Sequence, residues 1–212
     1  MTQLEDHSSH SLKQKFLFLR RWLENPLQLG AILPSSKALS VMIARHIVSE
    51  NQDALDQGGF ILELGAGTGA FTQALLNAGV PPNRLISVEI DPLLYNHLVD
   101  QFPDVLIIRG DARALKSIIP DLFQKRISVV LSGIPMMTIP STIRKEIIES
   151  VFEVIDPGGP LYQFTYSPFS SISTDIYNLT KRRIGTVFWN LPPATVWCYA
   201  QNLDPLSGHR PR

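Results

Sequence analysis

The stretch ILELGAGTGAFT, Ile61–Thr72, sets Gly65, Gly67 and Gly69 directly behind an aliphatic run. Phe60–Leu64 (FILEL) reads as a buried strand. The glycines that follow permit a tight turn with positive φ and a close approach of the backbone to a ligand. Thr68 is placed to cap a helix that runs to about Ala78, where Gly79 and Pro81-Pro82 stop it. Working outward, Arg84–Ile90 (RLISVEI), Val105–Gly110 (VLIIRG) and Ile127–Gly133 (ISVVLSG) read as further strands. Asp91-Pro92 opens a helix to about Phe102. Ser141–Ile155 carries Ile143, Ile147, Val151 and Val154 on one stripe and closes at the DPGG turn, Asp156–Gly159. Pro160–Pro168 reads as a fifth strand, and two more flank Leu191-Pro192-Pro193. Strands alternating with helices specify an α/β fold built on a mostly parallel sheet, here ending in an antiparallel hairpin. Two leading segments, Leu12–Leu23 and Gly30–Glu50, read as helices.

The chain has 212 residues, 44% of them hydrophobic and 18% charged, which suits a single globular domain. Nineteen basic residues balance nineteen acidic ones, so no global field attracts nucleic acid. Cys198 is the only cysteine, which excludes an intrachain disulfide and a cysteine-built metal site; no metal is expected. The polar N-terminus has no signal-peptide pattern, and the longest uncharged run is interrupted by Gly133, Pro135 and Pro140. A reducing cytoplasmic setting is the expectation.

Gly65, Gly67 and Ala70 satisfy the loose dinucleotide pattern, but three acids argue for S-adenosylmethionine (SAM) instead. Glu63, two residues before the first glycine, would repel a pyrophosphate and suits a cationic amino group. Glu89 lies 20 residues after Gly69 at a strand end, where a carboxylate accepts hydrogen bonds from ribose hydroxyls. Asp111, in RGDAR, ends the third strand where an adenine amino group would lie.

The order E-x-G-x-G-x-G, acid, then G-D-A resembles the class I SAM-dependent methyltransferases. The stretches GAILPSS (Gly30–Ser36), SGIPMM (Ser132–Met137), QFTYSP (Gln163–Pro168) and NLPPATVW (Asn190–Trp197) resemble, more narrowly, the bacterial phosphatidylethanolamine N-methyltransferases. The resemblance runs from about Phe16 to Tyr199. It implies a Rossmann-like core of seven strands, residues 51–204, behind an N-terminal helical extension, residues 1–50. In that extension a helix over 12–24 meets the membrane, and residues 25–50 fold over the cofactor.

It implies SAM as cofactor and S-adenosylhomocysteine (SAH) as product, held by Glu63, Gly65, Ala66, Gly67, Thr68, Gly69, Glu89, Ile90, Asp111, Ala112 and Ser132. It places Ser132, the Gly133 carbonyl and Tyr166 at the reacting amine, with Pro135, Met136, Tyr162, Phe164, Tyr166 and Arg183 around the substrate. SGIPMM has Ser132 in place of Asn or Asp and Met136 in place of an aromatic, which disfavours a planar base as acceptor. The implied activity is transfer of methyl groups to phosphatidylethanolamine and its methylated intermediates, toward phosphatidylcholine. The implied partners are that lipid and an anionic lipid surface at the inner face of the membrane.

The segment Ser11–Asn25, SLKQKFLFLRRWLEN, puts Leu12, Phe16, Leu19 and Leu23 on one side at about 100° per residue, with Phe18 and Trp22 extending the arc. An rRNA adenine N6-dimethyltransferase and a non-catalytic SAM- or lipid-binding protein are the rival readings. An NAD-dependent oxidoreductase is disfavoured by Glu63.

Overall fold

The computed structural model describes residues 33–187 and 193–202. The expected membrane helix over 12–24 lies outside the described residues. Helix α1 (Leu33–Glu50) and the short α2 (Gln52–Asp56) lead into β1 (Phe60–Leu64), α3 (Ala70–Asn77), β2 (Leu85–Glu89) and α4 (Pro92–Gln101). Then follow β3 (Leu106–Arg109), α5 (Leu115–Ile118), β4 (Ile127–Ser132), α6 (Ser141–Val154) and β5 (Leu161–Thr165). A short α7 (Thr174–Tyr177) precedes β6 (Leu179–Val187) and β7 (Ala194–Gln201).

The strands form one seven-stranded sheet in the order β3-β2-β1-β4-β5-β7-β6. The first five run parallel, while β7 pairs antiparallel with both β5 and β6. The expected architecture, a mostly parallel sheet with a terminal antiparallel hairpin, is the one observed. β1, β2 and β4 are buried along their whole length, which explains their mainly aliphatic sequences; Glu63, Ser87, Glu89, Ser128 and Ser132 are the polar residues buried among them. The edge strand β6 exposes Lys181, Arg182 and Arg183, charges that discourage pairing with another chain.

Alternation of side chains divides the interior into two layers. On one face Leu62, Leu64, Val88, Val130 and Leu161 pack against α6 through Ile147, Ile148, Val151 and Val154. On the other, Ile61, Leu85, Val129, Leu131 and Tyr162 pack under α1, α3 and α4 through Leu39, Ile43, Ile47, Leu75 and Leu98. The residues of α1 therefore share one core with β1 and α3.

Several element bounds differ from expectation. Thr68 is exposed and does not cap α3; Gly69 holds that position at φ +81, with no side-chain cap. A side chain there would also strike Phe102, since a Cβ would lie 2.4 Å from its ring. Strand β5 stops at Thr165, not Pro168, because its last rung pairs Thr165 with Thr195 and β7 begins at Ala194. Asp91 does cap its helix, accepting from the Leu93 and Leu94 N–H groups, with Pro92 in the first turn.

Candidate active site

The turn after β1 is held by its three glycines at φ +67, +58 and +81, a region that L side chains avoid. Their backbone is fixed from the neighbouring strand. The Gly65 N–H donates to the Val88 carbonyl at 2.8 Å, and the Gly67 N–H donates to Glu89 Oε2 at 2.8 Å. The other Glu89 oxygen accepts from the Asp91 N–H at 2.9 Å, so one buried carboxylate ties the glycine turn to the start of α4. Across the turn, the Gly133 N–H donates to the Leu64 carbonyl at 2.8 Å. A Cβ on Gly133 would lie 2.7 Å from the Gly65 carbonyl oxygen. The turns after β1 and β4 thus meet backbone to backbone, and only glycine fits between them.

These turns enclose a cleft of about 820 Å³, partly open to solvent, at the carboxyl ends of β1, β2, β3 and β4. Open α/β sheets bind their ligands in this position. Gly65, Glu89, Ile90, Asp111, Ala112, Gly133 and Pro135, all expected at the site, line it. Its other wall was not foreseen: Ile134, Ile139, Ile143 and Ile147 make it apolar, and Arg113 stands at its polar end. The stripe Ile143, Ile147, Val151 and Val154 revealed an apolar helix face, but spacing alone does not tell a face over a core from one beside a cleft.

Asp111 accepts from the Arg113 backbone N–H at 2.9 Å and from its guanidinium at 2.6 Å. Burial pushes the Asp111 carboxyl up, and the hydrogen bonds and charge of Arg113 outweigh that, leaving it below the ordinary value. Glu63 lies behind the turn, fully buried. Thr72 Oγ1 and Ser87 Oγ both donate to its Oε2, at 2.6 and 2.8 Å, while Oε1 is buried without a partner. Burial raises its pKa more than these hydroxyls lower it.

The residues beyond β4 and β5 are distributed over both faces of the sheet. Ser132 is buried at the end of β4, and its Oγ accepts from the Ile134 N–H at 3.3 Å. Met136 is 1% exposed and belongs to the α6-side core. Tyr162, Phe164 and Tyr166 do share one face, the one opposite α6. Tyr162 is 1% exposed and packed under α1, its hydroxyl accepting from Asn51 Nδ2 at 3.2 Å; the structure does not bring it to the cleft. Phe164 packs on Phe71 and, edge-on, against Tyr166. Burial raises the Tyr166 pKa, so its hydroxyl keeps its proton near neutral pH. Arg183 lies on β6, three strands from Ser132, and its guanidinium donates to Thr186.

The donor set suits a nucleoside that ends in a cationic amino acid. Two carboxylates, Glu89 and Asp111, can accept from hydroxyl or amino groups, Ile90 and Ala112 can cover a ring, and the bare buried oxygen of Glu63 awaits a donor. A pyrophosphate in the cleft would meet like charge at Glu89.

Comparison with known proteins agrees with this geometry. The sequence model described as FtsJ-like methyltransferase matches residues 46–195. An ornithine lipid N-methyltransferase from Singulisphaera acidiphila is 29% identical over 188 residues, covering 86% of this chain and 94% of that protein. A ribosomal RNA small subunit methyltransferase A from Prochlorococcus marinus is 31% identical over 131 residues, covering 60% of this chain but 40% of that protein. Among solved structures, the N-methyltransferase NodS from Bradyrhizobium japonicum, in complex with SAH, superposes with a TM-score of 0.63. It is 16% identical, and the match covers 88% of this chain and 98% of that one.

Proposed function

The chain belongs to the FtsJ-like methyltransferase family and is a SAM-dependent methyltransferase; from that premise we propose that its acceptor is the amine of a lipid headgroup. The observation that carries this reading is the end-to-end similarity to a lipid N-methyltransferase, 86% of this chain against 94% of that protein. The ribosomal RNA enzyme, by contrast, is matched over 40% of its length. A formal net charge of zero also offers no general attraction to RNA. Phosphatidylethanolamine and its methylated forms are the acceptors we favour, on the motifs SGIPMM, QFTYSP and NLPPATVW. The amine of an ornithine lipid is the second candidate, brought in by the relative's name.

In this reading Glu89 takes the ribose hydroxyls, Asp111 and Ala112 the adenine, and Glu63 Oε1 the amino group of SAM. When bound, SAM supplies a methyl group on a sulfonium that leaves as the neutral thioether. The rest falls to the protein, whose main contribution is positioning. The turn Ser132–Gly133–Ile134, fixed against β1, sets the direction from which an amine enters the cleft. The amine must be neutral to attack, and the described lining contains no histidine or lysine. Solvent therefore takes the proton, with Ser132 Oγ or the Gly133 carbonyl orienting the nitrogen. Among the described residues no helix is long and apolar enough to cross a membrane. We propose access to the lipid from the inner membrane face, through the N-terminal segment.

The test incubates the protein with methyl-labelled SAM and three acceptors: phosphatidylethanolamine vesicles, ornithine-lipid vesicles and ribosomal RNA. Label in a lipid amine is expected. Label in the RNA alone would overturn the reading.

A further inference from the structure

The hydrogen-bond register of the sheet sets Leu64, Ser132, Gln163, Trp197 and Arg183 side by side across β1, β4, β5, β7 and β6. In-register neighbours share a face, here the α6 face, on which the cleft also lies. The row is apolar at Leu64 and becomes polar from Ser132 onward. Two of its members carry polar atoms that are buried without a partner: Gln163 Oε1 and Trp197 Nε1.

The orientation of the Gln163 amide follows from its surroundings. Its Nε2 lies 3.0 Å from the Ile134 carbonyl oxygen and 2.7 Å from that of Phe164. Both are acceptors only, so the NH₂ end must face them and Oε1 is the bare end. The Ile134 carbonyl also accepts from the Met136 N–H at 2.8 Å. With both its lone pairs engaged, that carbonyl is not available to orient an incoming amine. Gln163 itself is fully buried. On the adjoining strand, the indole of Trp197 presents a bare N–H, and the Lys181 ammonium stands 5.9 Å from its ring. A buried group left unpaired is costly, and such groups call for a reason.

Resting on the lipid-amine reading above, we propose that Gln163 and Trp197 form the headgroup subsite. Gln163 Oε1 accepts an N–H of the acceptor amine, and Trp197 Nε1–H donates to the anionic oxygen of the same headgroup. Lys181 and Arg183, flanking Trp197 on β6, add positive charge at the anionic end. A neutral acceptor suits the chemistry at the amine: a carboxylate in its place would stabilise the ammonium and hold the proton that must leave. The anion is a phosphate or a carboxylate, and the two lipid arms of the test distinguish them.

The test compares the unmodified chain with Gln163→Met and Trp197→Phe, on micelles carrying phosphatidylethanolamine or ornithine lipid. SAH affinity by calorimetry serves as the control. Gln163→Met is expected to lower kcat/KM for the amine lipid about tenfold or more while SAH affinity stays within about twofold. Trp197→Phe is expected to raise KM by a similar factor, for phosphatidylethanolamine if the anion is phosphate and for ornithine lipid if it is carboxylate. Unchanged kinetics in both variants would overturn the subsite and leave the lipid reading standing. No methylation of any lipid amine by an unmodified chain that binds SAH would overturn both.

If a variant does not fold, the unmodified chain labelled at its tryptophan indole nitrogens supplies the answer. The Trp197 resonance is assigned by exclusion using Trp22→Phe and Trp189→Phe. It is expected to shift with O-phosphoethanolamine or ornithine and not with ethanolamine; no shift with either anion would overturn the proposal.

Discussion

Glu63 leaves one carboxyl oxygen unmet inside the fold. Its Oε2 accepts two hydroxyls while Oε1 is buried with no donor. Burial therefore holds its pKa above the ordinary value. A group whose pKa is raised by folding contributes stability that is complete below its unfolded pKa and is lost as pH rises through the folded pKa. Gln at this position keeps an acceptor for Thr72 and Ser87 and never ionises. Glu63→Gln is accordingly expected to stabilise the SAM-free chain by about 1–3 kcal/mol at alkaline pH, and by progressively less as pH falls toward the ordinary carboxyl range. Urea unfolding at several pH values measures this. The same variant is expected to lose SAM affinity in calorimetry, and unchanged affinity would remove Glu63 from the cofactor site. The sequence placed an acid two residues before the turn. It did not disclose that the acid is sealed behind Thr72 and Ser87, because those partners come from α3 and β2.

At the scale of elements, legibility followed how local the determining interactions are. The glycine turn, the Asp91-Pro92 helix start and the apolar strands were readable, since each depends on backbone conformation or on burial of its own side chains. The end of β5 was not, because it is set by where β7 begins to pair. Nor was the isoleucine wall of the cleft, since the α6 stripe continues from core to cleft without a change of residue type. The resemblance implied that Tyr162 surrounds the substrate, yet α1 covers it. That helix gives a direct test of how far the leading segment belongs to the core. Ile43, Ala44 and Ile47 are at most 1% exposed, and Ile47 lies one turn from the Asn51 amide that donates to both the Ile47 carbonyl and the Tyr162 hydroxyl. Ile47→Ala is expected to cost about 2–4 kcal/mol in chemical denaturation, through lost burial and the cavity left behind. A cost below about 0.5 kcal/mol would mean that α1 lifts away readily from β1 and α3.

For the molecule as a whole, nineteen cations against nineteen anions leave any attraction to a charged surface to local asymmetry. The sequence concentrates such asymmetry in Ser11–Leu23, where Lys13, Lys15, Arg20 and Arg21 occur with no acid among them, interleaved with Phe16, Phe18 and Trp22. On the proposed function this segment carries the protein to anionic lipid. Each basic residue near such a surface contributes about 1 kcal/mol, and apolar burial adds to it. Deleting residues 1–25 is therefore expected to reduce co-sedimentation with vesicles of anionic lipid by tenfold or more. It is expected to leave SAH affinity in place, since the cleft is built from residue 65 onward. The unmodified chain is expected to release progressively from the same vesicles as salt is raised, because exposed charges are screened over about 8–10 Å. Equal sedimentation with and without the segment would shift the membrane contact to another surface. Loss of SAH binding on deletion would show instead that residues 1–25 contribute to the cofactor site.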